Sequence, residues 1–175
     1  MARLVAFLRA VNVGGRTIKM DQLRRVFERG GFENVETFIA SGNVIFDAPT
    51  GSAAALESRI EQQLEKAFGY QVGVYLRSGE EVAAVAAHEP FDVPDDASLF
   101  VVFLRDAPDR AMWSKVTGLR SEYDDFAARK REVYWMTRRG FSGSTVAPAF
   151  GKICVNGTMR NVTTVRKLAA KYGFR

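Results

Sequence analysis

One cysteine and one histidine are all that 175 residues provide. A lone Cys154 excludes a disulfide within the chain. With His88 it cannot complete the four-ligand Cys/His set of a structural zinc site. A single cysteine also fits a reducing, cytoplasmic compartment. No apolar run approaches the roughly 20 residues that a membrane-spanning helix needs, so no membrane contact is expected. The opening run from Ala2 is cut short by Arg9, and no small-residue cleavage site follows. It reads as a core strand and not as a signal peptide. A Ser-His-Asp arrangement would have only His88 to draw on, and that residue reads as a helix-end cap or a surface group. Cys154, between Ile153 and Val155, reads as a small buried apolar residue. The carboxylate pairs Glu80-Glu81, Asp95-Asp96 and Asp124-Asp125 read as solvated surface, because adjacent helical residues do not face each other. No metal and no cofactor is expected, and no catalytic residue can be named.

Acidic residues nearly vanish from the C-terminal end. Residues 126–175 hold eleven Lys/Arg against the single Glu132, a surplus of ten. Residues 1–125 hold 14 Lys/Arg against 19 Asp/Glu, a deficit of five. The basic tail either packs against the acidic front half or meets a polyanion partner.

The elements follow from periodicity. Ala2–Arg9 is a nearly continuous apolar strand. Val11–Lys19 is a loop carrying Gly14-Gly15. Met20, Leu23, Val26 and Phe27 give helical spacing over Met20–Arg29, which Gly30-Gly31 stops. Val35–Ala40 and Val44–Phe46 read as strands around a tight Ser41-Gly42-Asn43 hairpin turn. Leu56, Ile60, Leu64 and Phe68 mark a helix over Ala53–Phe68, capped by Ser52 and stopped by Gly69. Gln71–Leu76 alternates as a strand. Residues 1–77 thus spell β-α-β-β-α-β, the split βαβ or ferredoxin-like order. A short helix (Glu80–His88) and a proline-bearing linker (Phe91–Asp96) follow. The order then partly restarts: a strand at Leu99–Leu104, a helix at Arg110–Leu119, and a hairpin of Phe126–Ala128 with Val133–Met136. A short helix after Ser144 and a last helix at Val162–Tyr172 complete the chain. The expected fold is α+β, two related halves at 1–77 and 78–175, the second degenerate.

Three stretches carry a family resemblance. Phe7-Leu8-Arg9-Ala10-Val11-Asn12-Val13-Gly14-Gly15 resembles the opening motif of a bacterial domain-of-unknown-function family, number sixteen ninety-seven. Phe38-Ile39-Ala40-Ser41-Gly42-Asn43-Val44-Ile45-Phe46 continues the likeness, and Thr158-Met159-Arg160-Asn161-Val162-Thr163-Thr164-Val165 resembles its closing motif. The resemblance implies an α+β fold of two related halves and carries no activity with it.

The glycine pair in the first loop is neither a phosphate-binding Walker loop nor a dinucleotide fingerprint, for the glycine spacing is wrong for both. Alone, it reads as a tight turn, and so does Ser41-Gly42-Asn43. Topology brings the two together. In the split βαβ order the first two strands run parallel with the third antiparallel between them. The end of strand one and the turn before strand three therefore lie at the same end of the sheet. That juxtaposition gathers Arg9, Asn12, Gly14, Gly15, Arg16, Ser41, Gly42 and Asn43 as candidate ligand-binding residues. Arg160 and Asn161 are candidates at the start of the last helix, where Asn161 also reads as a plain N-cap. The leading expectation is binding of a small anionic or polar ligand. One alternative is a nucleic-acid-binding module using Arg129, Lys130, Arg131, Arg138 and Arg139 with interleaved Tyr134 and Trp135, although those aromatics equally suit a strand core. Another is an enzyme acting on a phosphorylated small molecule. The oligomeric state is not legible.

Overall fold

The computed structural model describes residues 1–9, 11 and 14–175. These divide into two compact units, Met1–Ala83 with Gly173–Arg175, and Ala84–Tyr172.

The first unit runs β1 (Ala2–Arg9), α1 (Met20–Arg29), β2 (Glu33–Thr37), β3 (Asn43–Ala48), α2 (Ala53–Phe68) and β4 (Gly73–Ser78), and α3 (Gly79–Ala87) begins in it. Its antiparallel sheet has the order β2-β3-β1-β4. Both helices end where the spacing and the glycines predict. Ser52 Oγ accepts the amide of Ala55, and Gly69 closes α2 in the left-handed region at φ 80°. Leu23 and Phe27 of α1 pack with Ile60 and Leu64 of α2 on the sheet face formed by Ala6, Leu8, Val44, Phe46, Val74 and Leu76. Phe27 meets the Phe46 ring edge-on at 5.1 Å, and Phe32 lies 4.9 Å from the same ring. Each such buried ring contributes about 1.5–3 kcal/mol through removal from water.

The second unit runs β5 (Ser98–Leu104), α4 (Arg110–Thr117), β6 (Asp124–Arg129), β7 (Glu132–Thr137), α5 (Gly140–Gly143), α6 (Ala147–Ile153), β8 (Gly157–Asn161) and α7 (Val162–Tyr172). Its sheet order, β6-β7-β5-β8, repeats the first. The repetition extends to register. Val5 stands between Ile45 and Arg77, and Val101 stands between Tyr134 and Arg160. Arg77 and Arg160 thus occupy equivalent positions, and both are buried.

Some expectations are corrected. The strand β8 has no counterpart in the sequence reading, because Gly157-Thr158-Met159-Arg160-Asn161 offers one apolar side chain and no clean alternation. The four-residue α5 is likewise absent from it. The hairpin between β2 and β3 is longer than a two-residue turn. Phe38 N–H donates to Asn43 O at 3.0 Å, so the reversal occupies residues 39–42. Strand β2 accordingly ends at Thr37 rather than Ala40. Asp124 is not solvated surface. It is buried and accepts from Trp135 Nε1 at 2.9 Å and Ser121 Oγ at 2.8 Å. Glu81 forms a reciprocal capping box with Ser78 at the start of α3.

Candidate functional site

The sheet registers fix what lies at the far end of β1. Arg9 is opposite Gly73, where β4 begins, and Phe7 is opposite Asn43, where β3 begins. Leu8 N–H donates to Gly42 O at 2.8 Å, tying the turn to β1. Gly42 has φ 78°, and a Cβ built on it would lie 2.8 Å from Val11 Cγ2 and 3.1 Å from Leu8 Cβ. The loop after β1 and the 39–42 turn therefore meet across a position that only glycine fills.

Around this contact the candidate residues take distinct roles. Arg9 is half-buried, whereas Gly14, Gly15, Arg16 and Ser41 are exposed. Gly14 and Gly15 both adopt positive φ. Asn43 is fully buried and serves the turn itself. Its Nδ2 donates to Phe38 O at 2.8 Å and to Ser41 Oγ at 3.0 Å. Asn12 lies outside the described residues. Helix α1 then starts from Lys19, whose side chain makes no capping bond, with Asp21 in its first turn.

Two residues at this end escape sequence reasoning. Tyr70 donates its hydroxyl to Val11 O at 3.3 Å, and the Arg16 guanidinium lies 4.5 Å from the centre of its ring. The only signal for it is its place just after the Gly69 helix stop. Ile39, 52% exposed, sits at φ 59°. A β-branched residue in the left-handed region costs roughly 1–2 kcal/mol, and such strain concentrates at functional sites.

Arg160 and Asn161 belong to the second unit. Asn161 Oδ1 accepts the amide of Thr163 at 2.9 Å, the N-cap of α7. Arg160 is buried on β8 and donates to Thr158 Oγ1 at 2.8 Å and Met159 O at 2.9 Å. Burial lowers its pKa to about 10.

In the basic hairpin, Arg129, Lys130, Arg138 and Arg139 are exposed, with Lys130 and Arg138 at opposite ends of β7. Arg131 donates to Arg105 O at 3.4 Å, and Arg139 stacks 3.7 Å over the Tyr123 ring. Tyr134 and Trp135 are buried and offer no face to a base.

Burial pushes the Cys154 thiol up to about 12, which keeps it protonated. His88 packs edge-on against Tyr134 at 5.0 Å. Burial, then the charge of Arg129, lowers its pKa from 6.5. A depressed histidine binds its proton more tightly in the unfolded chain. Its contribution is present above pH 6.5 and is lost as pH falls below that value towards the folded pKa. We expect the denaturation midpoint of the parent chain to fall relative to His88→Phe between about pH 7 and about pH 5.5. Parallel pH profiles for the two proteins would contradict this.

Among the described residues, no group of three or more His, Cys, Asp or Glu is arranged to hold a metal ion, and no helix is long and apolar enough to cross a membrane. A family model for proteins of unknown function matches residues 1–134. The chain belongs to the DUF1697 family. The DUF1697 match includes the opening motif, the 39–42 turn and most of the β6–β7 hairpin. No curated protein matches the chain. Among solved structures, a conserved bacterial protein from Streptococcus pneumoniae is 21% identical, with a TM-score of 0.75 and coverage of 99% of each chain. At that identity the likeness shows the shared fold.

Proposed function

We propose that the first unit binds a small anionic ligand at the far end of β1, between the Gly14–Thr17 loop and the 39–42 turn. The observation that carries this reading is the close approach of Val11, in the loop after β1, to Gly42 in the turn, at the sheet end where Arg9 stands opposite Gly73. Guanidinium groups and backbone amides are the donors that carboxylates and phosphates require. The Arg16–Tyr70 stack holds one of the cations over an aromatic face. The strained, exposed Ile39 supplies an apolar flank. Neither the histidine nor the cysteine is among these residues, so the reading is binding rather than turnover.

The test is titration with inorganic phosphate, followed by calorimetry or thermal shift. Removing an arginine bonded to an anion weakens binding by roughly tenfold or more. Arg9→Ala and Arg16→Ala are each expected to do so while leaving the far-ultraviolet spectrum unchanged. Unaltered phosphate affinity in the double variant contradicts the proposal, as does a parent chain that binds no phosphate.

A further inference from the structure

The leading strand of each unit carries the same short sequence. Val5-Ala6-Phe7-Leu8-Arg9 recurs as Val101-Val102-Phe103-Leu104-Arg105, the two differing only at Ala6 and Val102. The sheet partners recur with it. Phe7 stands opposite Asn43 at the start of β3, and Phe103 stands opposite the buried Glu132 at the start of β7. Leu8 N–H donates to Gly42 O at 2.8 Å, and Leu104 N–H donates to Arg131 O at 2.9 Å. The end of β5 and the β6–β7 turn are therefore the second unit's counterpart of the end of β1 and the 39–42 turn.

The backbone tie is kept while the turn changes its chemistry. Arg105 matches Arg9, and the counterpart of Gly42 is Arg131. Arg129 pairs with Glu132, so Lys130 and Arg131 form the turn between them. Lys130 is exposed and has φ 53°, in a place ordinarily given to glycine or asparagine. A lysine there sets a charge at the tip of the hairpin at the expense of backbone strain, and strain of this kind gathers at functional sites. Arg131 braces the turn by donating to Arg105 O at 3.4 Å. Arg105 and Arg129 are exposed beside it. Among the described residues, Arg129 and Lys130 enter no ion pair and no side-chain hydrogen bond.

The chain turns acidic straight after Arg105, at Asp106 and at Asp109, whose carboxylate accepts the Met112 amide at 2.7 Å and caps α4. The cationic surface is thus confined to one strand end and one hairpin tip. It is too short for a nucleic-acid strand, which binds through a run of phosphates. A compact group of phosphates fits it. We propose that the end of β5 binds a small ligand carrying consecutive phosphates, held by Arg105, Arg129 and Lys130, with Arg131 positioning the turn. Guanidinium groups take phosphate oxygens in pairs, and the ammonium adds a point charge. This site is separate from the one in the first unit, and either can fail without the other.

The probe is inorganic tripolyphosphate, titrated into the full chain and followed by calorimetry and by backbone amide resonances. Saturable binding is expected, with shifts at Arg105, Arg129 and Lys130, and with orthophosphate roughly tenfold weaker at these residues. Lys130→Gly relieves the left-handed backbone, so it should raise the urea midpoint while weakening tripolyphosphate roughly tenfold. Arg138→Ala/Arg139→Ala, at the opposite end of β7, is expected to leave the affinity unchanged. Tripolyphosphate affinity that survives in Arg129→Ala/Lys130→Gly overturns the proposal, as does a parent chain that binds no tripolyphosphate. An equal loss in Arg138→Ala/Arg139→Ala overturns it as well, for it would mark unspecific attraction by the whole basic region. Oligothymidylate that binds these residues more tightly than tripolyphosphate overturns it in favour of a nucleic-acid strand.

Discussion

Gly42→Ala is expected to destabilise the first unit by about 2–5 kcal/mol. About 1–2 kcal/mol comes from placing an L-residue at φ 78°. A further 1–3 kcal/mol, roughly, comes from overpacking. The new methyl would stand 2.8 Å from Val11 Cγ2, and neither Val11 nor Leu8 is a flexible side chain that can swing away. The damage is directed at the proposed site, since relief requires the 39–42 turn and the loop after β1 to part. Phosphate affinity should therefore fall together with stability, although Gly42 presents no side chain to a ligand. Circular dichroism in urea should reveal the change as an earlier transition. A loss below about 1 kcal/mol would show that the contact at Gly42 is loose.

Trp135→Ala should have the larger effect, a loss of about 4–8 kcal/mol in the second unit. Truncating a buried aromatic costs about 3–5 kcal/mol. Here the ring is fully buried, stacked on Phe100 at 5.2 Å and tilted against Phe150 at 5.4 Å. The substitution also takes the indole donor from Asp124, leaving that buried carboxylate bonded by Ser121, at a further cost of about 1–3 kcal/mol. Trp135→Phe preserves most of the packing and should lose about 1–3 kcal/mol through the bond alone. Had this aromatic served as a platform for nucleic-acid bases, its removal would lower affinity and spare stability. The burial predicts the reverse, and urea denaturation of both variants decides the matter.

The two helices of the first unit were legible to the residue. Leu56, Ile60, Leu64 and Phe68 leave one reading, and glycine stops the helix where its amide closes on Glu65 O. That the end of β1 and the start of β3 share one sheet end was legible as well, for it needed only element order. What the sequence concealed was chemistry made by tertiary partners. Asp124 looks like half of an acidic surface pair until the Trp135 indole is placed beside it. Glu57 and Glu61 look like the polar face of an amphipathic helix, and nothing local announces that they bond strand amides. Asn43 reads as a turn residue open to ligand, yet its amide is spent on Phe38 O and Ser41 Oγ. Strand β8 was missed because Thr158 and Arg160 are buried polar residues on one of its faces, which erases the alternation that marks a strand.

The claim that most needs testing is that one end of the first sheet binds anions. Titration of the isotope-labelled full chain with phosphate, followed through its backbone amide resonances, addresses it directly. Saturable shifts are expected at Gly14, Gly15, Arg16 and Ser41, absent in Arg9→Ala/Arg16→Ala. Shifts that fall instead on Lys130, Arg138 and Arg139, weakening steeply with added salt, would contradict it and move the anion-binding surface to the second unit.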